Sequence, residues 1–256
     1  MVDVSQAPLI LITGGSRGVG AATARLAAAR GYDVAISYVA NEPAARAVVA
    51  DIEALGRKAL AMRADSAYPQ EVAALFVAID RTFGRIDVLV NNAALFATLE
   101  LKPFEQTSSA EWDRIMAVNV RGSFECAKAV MPVMRRQGYG KIVNIASATA
   151  FKGAPMMAAY VASKGAVIAL TRSIAREVGD AGIRCNCLAP GLTMSANVQA
   201  NADWAGDIVR NNIASRCIKR EALPQDLIGA LLFLSSADSD FMSGQTLVVD
   251  GGSVTH

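Results

Sequence analysis

One histidine stands in the 256 residues, His256, and four cysteines, Cys126, Cys185, Cys187 and Cys217. With a single imidazole there is no partner set for a zinc site. Cys185 and Cys187 alternate within an apolar run and would share one face of a strand, so they read as small buried hydrophobes, and no metal is expected. No disulfide framework is visible, and Met1 to Pro8 carry neither a cationic start nor an apolar stretch. Both absences point to a cytoplasmic chain without a secretory signal. The net charge is only +2 and no basic cluster occurs, which argues against a nucleic-acid partner. The apolar runs are short and broken by charge or glycine, which argues against a membrane span. Repeats, low-complexity segments and linkers are missing too, so residues 1–256 read as a single domain.

What is there is core material: 53% of the residues are hydrophobic. Short apolar runs alternate with helical patterns. Runs at Leu9–Thr13, Val34–Tyr38, Ala59–Arg63 and Ile86–Asn91 are separated by helices at Ala21–Arg30, Pro43–Leu55 and Glu71–Phe83, closed by Gly31, Gly56 and Gly84. Further on, Glu111–Met134 reads as helix in two pieces, Lys141–Ile145 as strand, Met156–Val178 as a long helix, Ile183–Leu188 as strand, Pro224–Ser235 as helix and Thr246–Val249 as a last strand. Steps of about thirty residues from strand to strand make a βαβ series. The spacing predicts an α/β fold: one Rossmann-type, doubly wound domain with about seven parallel strands and helices on both faces. The segment from about 192 to 220 is the least regular and reads as a variable substrate loop.

The first strand runs into Thr13-Gly14-Gly15-Ser16-Arg17-Gly18-Val19-Gly20 before a helix. Glycines permit a tight turn and close approach of backbone to a pyrophosphate, and the helix start offers unpaired N–H groups. The spacing differs from the common G-x-G-x-x-G fingerprint. Tyr38, Asp65, Asn91, Asn92, Ser147 and Pro190-Gly191 each follow a strand, at the edge where open α/β sheets bind ligands.

With these residues in this order the chain resembles the short-chain dehydrogenase/reductase (SDR) family from about Pro8 to Gly252. The matching pieces are Thr13-Gly14 with Gly18 and Gly20, Asp65, Asn91-Asn92-Ala93, Asn119, Ser147, Tyr160 with Lys164, Pro190-Gly191 and the closing Val249-Asp250-Gly251-Gly252. Two positions depart from the family. Ala94 stands where glycine is usual, and its methyl narrows the space near the cofactor; Ala146 replaces a frequent serine. The resemblance implies an oxidoreductase that moves hydride between a nicotinamide and a carbonyl or alcohol. Asn119, Ser147, Tyr160 and Lys164 would be catalytic. Tyr160 would exchange a proton with the carbonyl oxygen, Ser147 would donate a hydrogen bond to it, and Lys164 would hold the nicotinamide ribose. Asn119 would complete a proton path through a water.

Tyr160 and Lys164 are four apart on a helical pattern and share a face. A free phenol, with a pKa near ~10, is a poor acid–base group at neutral pH. The adjacent ammonium is expected to lower it. The second strand ends Ser37-Tyr38-Val39 with no acid to bind a ribose 2′-hydroxyl, and Arg17 can meet a 2′-phosphate, so NADP(H) is favoured over NAD(H). The cofactor set reads Gly14, Ser16, Arg17, Gly18, Val19, Gly20, Tyr38, Asp65, Ser66, Asn91, Ala93, Tyr160, Lys164, Pro190, Gly191 and Thr193. Asp65 is expected to accept from the adenine amine and Thr193 to reach the carboxamide.

Substrate walls read as Phe96, Met156 and Met157 around Ser147 and Tyr160, with Phe151, Met194 and Trp204 nearby. They make a mostly apolar pocket; no Arg or Lys cluster in these segments demands an anionic substrate, although Lys152 and Arg210 could serve one. Cyclic or aromatic alcohols and 3-oxoacyl carrier-protein substrates both fit. The resemblance further implies a homotetramer built through the helices near Asn119 and Met156 and the apolar Phe241–Val249 segment, with His256 reaching a neighbour's pocket. A non-catalytic NADP(H) sensor is the rival reading, opposed by the intact Asn119, Ser147, Tyr160 and Lys164. A scaffold protein would have no use for the glycine turn.

Overall fold

The computed structural model describes residues 7–204 and 206–255. Seven parallel strands form one sheet in the order β3-β2-β1-β4-β5-β6-β7. The strands are β1 (Leu9–Ile12), β2 (Asp33–Tyr38), β3 (Ala59–Arg63), β4 (Val88–Asn91), β5 (Gly140–Ile145), β6 (Ile183–Pro190) and β7 (Thr246–Val249). β1, β4 and β5 are buried along their whole length, so they show no polar alternation: both faces of the sheet are covered.

Ten helices among the described residues supply that cover. They are α1 (Gly18–Ala29), α2 (Glu42–Ala54), α3 (Pro69–Phe83), α4 (Ser109–Met116), α5 (Gly122–Gln137), α6 (Thr149–Lys152), α7 (Ala158–Val178), α8 (Ala196–Gln199), α9 (Asp207–Ser215) and α10 (Gln225–Ser235). On one face Leu11, Leu89 and Ile142 pack against Leu75 and Ile79 of α3 and Val130 and Met134 of α5. On the other, Ile10, Ile12 and Val90 pack against Ala24 and Ala27 of α1, Val48 and Ile52 of α2, and Leu227 and Leu231 of α10. Each such fully buried aliphatic chain contributes roughly 1.5–3 kcal/mol.

The strand order reverses between β1 and β4, and the crevice above their carboxyl ends is where this topology binds ligands. One boundary differs from the sequence reading, and two expected features gain detail. α1 starts at Gly18 rather than Ala21, so the glycine turn runs directly into the helix and its N–H groups face the crevice edge. The helix expected over 111–134 divides at a π-helical segment, Ala117–Arg121, joining α4 to α5. The irregular 192–220 stretch carries α8 and α9 and is pinned by a β-bridge between Thr193 and Ala222.

α3 does end as predicted: Gly84 takes a left-handed φ of 70° and its N–H bonds the Asp80 carbonyl at 2.9 Å. Among the described residues no helix is long and apolar enough to cross a membrane. His256, and with it the idea that it reaches a neighbouring pocket, lies outside them.

Candidate active site

A cleft of about 890 Å³ opens above the carboxyl ends of the strands, at the upper end of the range for small-molecule sites. The glycine turn forms one end of its wall. A Cβ on Gly20 would stand 2.5 Å from the Gly14 carbonyl oxygen and 2.7 Å from Asn92 Nδ2, so only glycine fits there. Asn92 Nδ2 donates to the Thr13 and Gly14 carbonyls at 2.9 and 3.1 Å and ties the turn to the end of β4. The backbone concavity left by these contacts, at a helix start, suits a pyrophosphate. Arg17 stands exposed on the rim, where the Asn197 amide oxygen accepts from its Nε at 3.0 Å and its Nη1 at 2.9 Å. Tyr38, Val39, Ala40 and Asn41 line the wall beyond the end of β2, with no acid among them. Glu42, just beyond, is ion-paired with Arg46 at 2.6 Å.

Asp65 is buried at the cleft wall and is not free. Its Oδ2 accepts from Arg114 at 2.8 Å and its Oδ1 from the Ala67 N–H at 2.9 Å. Arg114, on α4, lines the cleft as well, and the sequence reading missed it. Its only sequence signal is a cation in an otherwise ordinary polar helix.

At the far end of the crevice, the end of β5, α7 and the end of β6 bring Ser147, Tyr160 and Lys164 to the cleft beside Pro190, Gly191 and Thr193. Lys164 is only 3% exposed; its Nζ donates to the Ile145 carbonyl at 2.7 Å and lies 5.7 Å from the Tyr160 ring centre. The expected drop in the phenol's pKa is overturned. Burial dominates and pushes Tyr160 up to about 12, with the Ser147 hydroxyl pulling the other way. Burial also pushes the Lys164 ammonium down to about 8. In this packing the phenol holds its proton through the neutral range, which suits it to donate.

Ser147 Oγ accepts from the Thr149 N–H at 3.2 Å and from Thr149 Oγ1 at 2.9 Å. Its own proton has a long 3.5 Å contact to the Pro190 carbonyl and also bears on the Tyr160 phenol, so it is directed into the reacting centre.

Three expected residues stand behind the wall rather than on it. Gly20 is packed under the turn. Asn91 turns into the core, donating to Asn144 Oδ1 at 2.8 Å and to the Ser123 carbonyl at 3.2 Å, because its alternate position on β4 faces inward. Asn119 sits on the π-helical segment. Its Oδ1 accepts from the Leu95 N–H at 2.8 Å, and its Nδ2 donates to Ser163 Oγ at 3.0 Å. Ser163 Oγ in turn donates to the Tyr160 carbonyl at 2.7 Å. The Asn119 side chain is thereby engaged in holding α7 and the segment after β4. Ser163 was missed, although it lies three residues past Tyr160 on the same helical face.

The remaining expected residues, Gly14, Ser16, Gly18, Val19, Ser66 and Ala93, all line the cleft, as do Phe96, Met156 and Met157. Phe96 packs on Tyr160 with ring centres 5.0 Å apart and on Trp204 at 4.6 Å, which makes the pocket wall aromatic. Met156 holds a left-handed φ of 68°, unusual for a side-chain-bearing residue and placed at the mouth of the pocket. Ala94 lines the cleft with its methyl accommodated. Cys126, Cys185 and Cys187 are buried and free, and burial raises their thiol pKa values.

The comparisons agree with this geometry. The family model described as enoyl-(acyl carrier protein) reductase matches residues 14–254. Over 243 residues, 94% of this chain and 97% of the relative, the chain is 37% identical to 3-oxoacyl-[acyl-carrier-protein] reductase FabG of Staphylococcus epidermidis. It is also 37% identical to 2-(R)-hydroxypropyl-CoM dehydrogenase of Xanthobacter autotrophicus, over 94% of this chain and 96% of that one. The crystal structure of levodione reductase superposes with a TM-score of 0.89 at 31% identity, covering 97% of this chain and 98% of that one. From the glycine turn to the closing Asp250-Gly251-Gly252, the chain belongs to the short-chain dehydrogenase/reductase family, oxidoreductases that exchange hydride between a nicotinamide dinucleotide and a carbonyl or alcohol.

Proposed function

We propose that the protein is an NADP(H)-dependent carbonyl reductase or alcohol dehydrogenase in which Tyr160 is the proton donor and acceptor. The observation that carries this reading is that Tyr160, Ser147 and Lys164 line one cleft together with Pro190, Gly191 and Thr193, with Lys164 Nζ 5.7 Å from the Tyr160 ring centre. The glycine turn, Ser16, Arg17 and Val19 hold the phosphates; Asp65, Ser66 and Ala93 border the adenosine; Thr193 and Lys164 border the nicotinamide and its ribose. When bound, the nicotinamide supplies or accepts the hydride.

The chain's own residues do the rest. Ser147 donates its hydroxyl proton as a hydrogen bond to the carbonyl oxygen, where negative charge develops in reduction. Tyr160 gives that oxygen its proton and takes one back in alcohol oxidation. Lys164 places a cation behind the phenolate that results. Asn119 acts as a positioning residue, through Ser163 and the backbone of Leu95.

Because burial holds the phenol near 12, the acid form needed for reduction is fully present at neutral pH, whereas oxidation depends on a scarce phenolate. Below the Lys164 value of about 8, between roughly pH 6 and 7.5, alcohol oxidation should rise by about tenfold per pH unit while carbonyl reduction stays flat. Paired kcat/KM profiles in the two directions test this, and a flat oxidation profile would count against Tyr160 as the base.

The dinucleotide preference rests on Arg17 and on the absence of an acid at the end of β2. Arg17→Ala should raise KM for NADPH by about tenfold or more and leave KM for NADH nearly unchanged, since a planar cation recognises the 2′-phosphate and little else there. Equal weakening of both cofactors would overturn the preference.

Substrates with a carbonyl next to an apolar or ring-bearing group suit the Phe96, Trp204 and Met157 wall, as do 3-oxoacyl thioesters of the kind that the FabG name describes. A homotetramer is supported by the exposed aromatic groups of Trp112 on α4, Phe124 on α5 and Phe241 just before β7. A cytoplasmic setting is supported by the four free cysteines. Light scattering on the purified protein tests the assembly.

A further inference from the structure

The cleft is unevenly charged. Arg17, Asp65 and Arg114 line its dinucleotide end and Lys164 its middle. Past Ser147 the wall is formed by Leu95, Phe96, Met156, Met157, Trp204 and Ile208, with Asn211, Asn212 and Ser215 on α9. Among the lining residues of that end, Lys152 is the one charged side chain. Arg210, the other cation suggested by the sequence, is ion-paired with Asp207 and does not line the cleft.

Lys152 closes α6, the short helix that starts directly after Ser147. Ala148 already has helical backbone angles, so Lys152, five residues on, stands about one and a half helical turns, roughly 7–8 Å, beyond the serine. Its ammonium donates to Ser253 Oγ, and Ser253 Oγ is bonded to Ser215 Oγ. The Ser253 hydroxyl thus links the exposed cation to Ser215 at the end of α9. No carboxylate among the described residues pairs with it. The nearest acid to act on it, Asp250, has its oxygens taken by the N–H groups of Gly252, Ser253 and Val254 at 3.0, 3.0 and 2.9 Å. Burial disfavours the ammonium's charge, Asp250 favours it and Arg216 opposes it, and the net effect is downward, so an anion brought beside it would offset a remaining electrostatic cost.

We infer that Lys152 is an anion-recognition residue of the substrate pocket, and that the substrate is a carbonyl compound bearing an acidic oxygen group, a carboxylate or a phosphate, at the far end of the pocket from the dinucleotide. This rests on the oxidoreductase reading above and names its substrate class. A free acid and the phosphate of a phosphopantetheine arm offer the same chemistry to the lysine.

Two matched substrate pairs separate these sources: an aryl keto acid with its methyl ester, and a 3-oxoacyl phosphopantetheine thioester with its unphosphorylated pantetheine counterpart. Each is assayed with NADPH on the full chain, on Lys152→Met and on Lys152→Arg. The wild-type protein should favour the anionic member of one pair by about tenfold or more in kcat/KM. Lys152→Met should bring that ratio close to one, and Lys152→Arg should keep most of it. The pair that responds identifies the source of the anion. Equal use of both members of both pairs by the wild-type protein overturns the inference alone, as does a Lys152→Met variant that loses both members of a pair in proportion. Absence of any NADPH-dependent reduction overturns it together with the reading beneath it.

Discussion

Tyr160→Phe is expected to lower turnover by about 10³-fold or more while leaving NADPH affinity within a factor of about two. The size follows from what is removed. The carbonyl oxygen must gain a proton as hydride reaches its carbon, and among the lining residues near Ser147 only the phenol is placed to give one. Lys164, the other titrating group there, points its ammonium at the Ile145 carbonyl. Phenylalanine keeps the ring, so the contact with Phe96 at 5.0 Å survives, and the hydroxyl is no anchor of the fold. Stability should change by less than about 1 kcal/mol. Initial rates together with a fluorescence titration of NADPH check both halves. A variant retaining a tenth of wild-type turnover would exclude Tyr160 as the proton donor.

Lys164→Met should be nearly as damaging to turnover, by about 10²–10³-fold, yet should leave the protein as stable or make it more so. The ammonium is buried, has no carboxylate partner among the described residues, and has one hydrogen bond, to the Ile145 carbonyl, at 2.7 Å. Burial already lowers its pKa to about 8, which is the signature of a charge held at a cost. Methionine fills nearly the same volume without that cost. The opposite signs matter because a structural lysine would lose stability and activity together. Thermal unfolding beside kcat separates the two, and a Tm drop of several degrees with unchanged kcat would make Lys164 a packing residue.

Much of this arrangement could be read before any coordinates. The strand runs and the glycines past Ala29, Leu55 and Phe83 specified a parallel sheet, because both signals are local. The glycine turn and the order Asn119, Ser147, Tyr160, Lys164 located the cleft. What escaped depended on distance. Arg114 meets Asp65 across 49 residues, and Phe96 meets Trp204 across more than a hundred; no periodicity links such pairs. The π-helical turn at Ala117–Arg121 is too short to leave an apolar period of its own, so the run over 111–134 showed a division but not its kind.

The phenol's pKa went the wrong way for a related reason. A rule about neighbours four apart sees the ammonium, whereas the burial that dominates comes from elements distant in sequence, and the opposing pull is that of Ser147. Asn91 shows the same limit within one strand. Its place at the end of β4 marked it as a ligand residue, but the inward pleat sends its side chain to Asn144.

The most direct test is to supply NADPH carrying deuterium at the transferable position of its nicotinamide, with a panel of apolar and acidic ketones, and to analyse the alcohol by mass spectrometry. The account predicts that the wild-type protein places one deuterium on the carbinol carbon of at least one alcohol, and that Tyr160→Phe, though it still binds the cofactor, forms almost none. Alcohol formed without label, or formed equally well by both proteins, would contradict it.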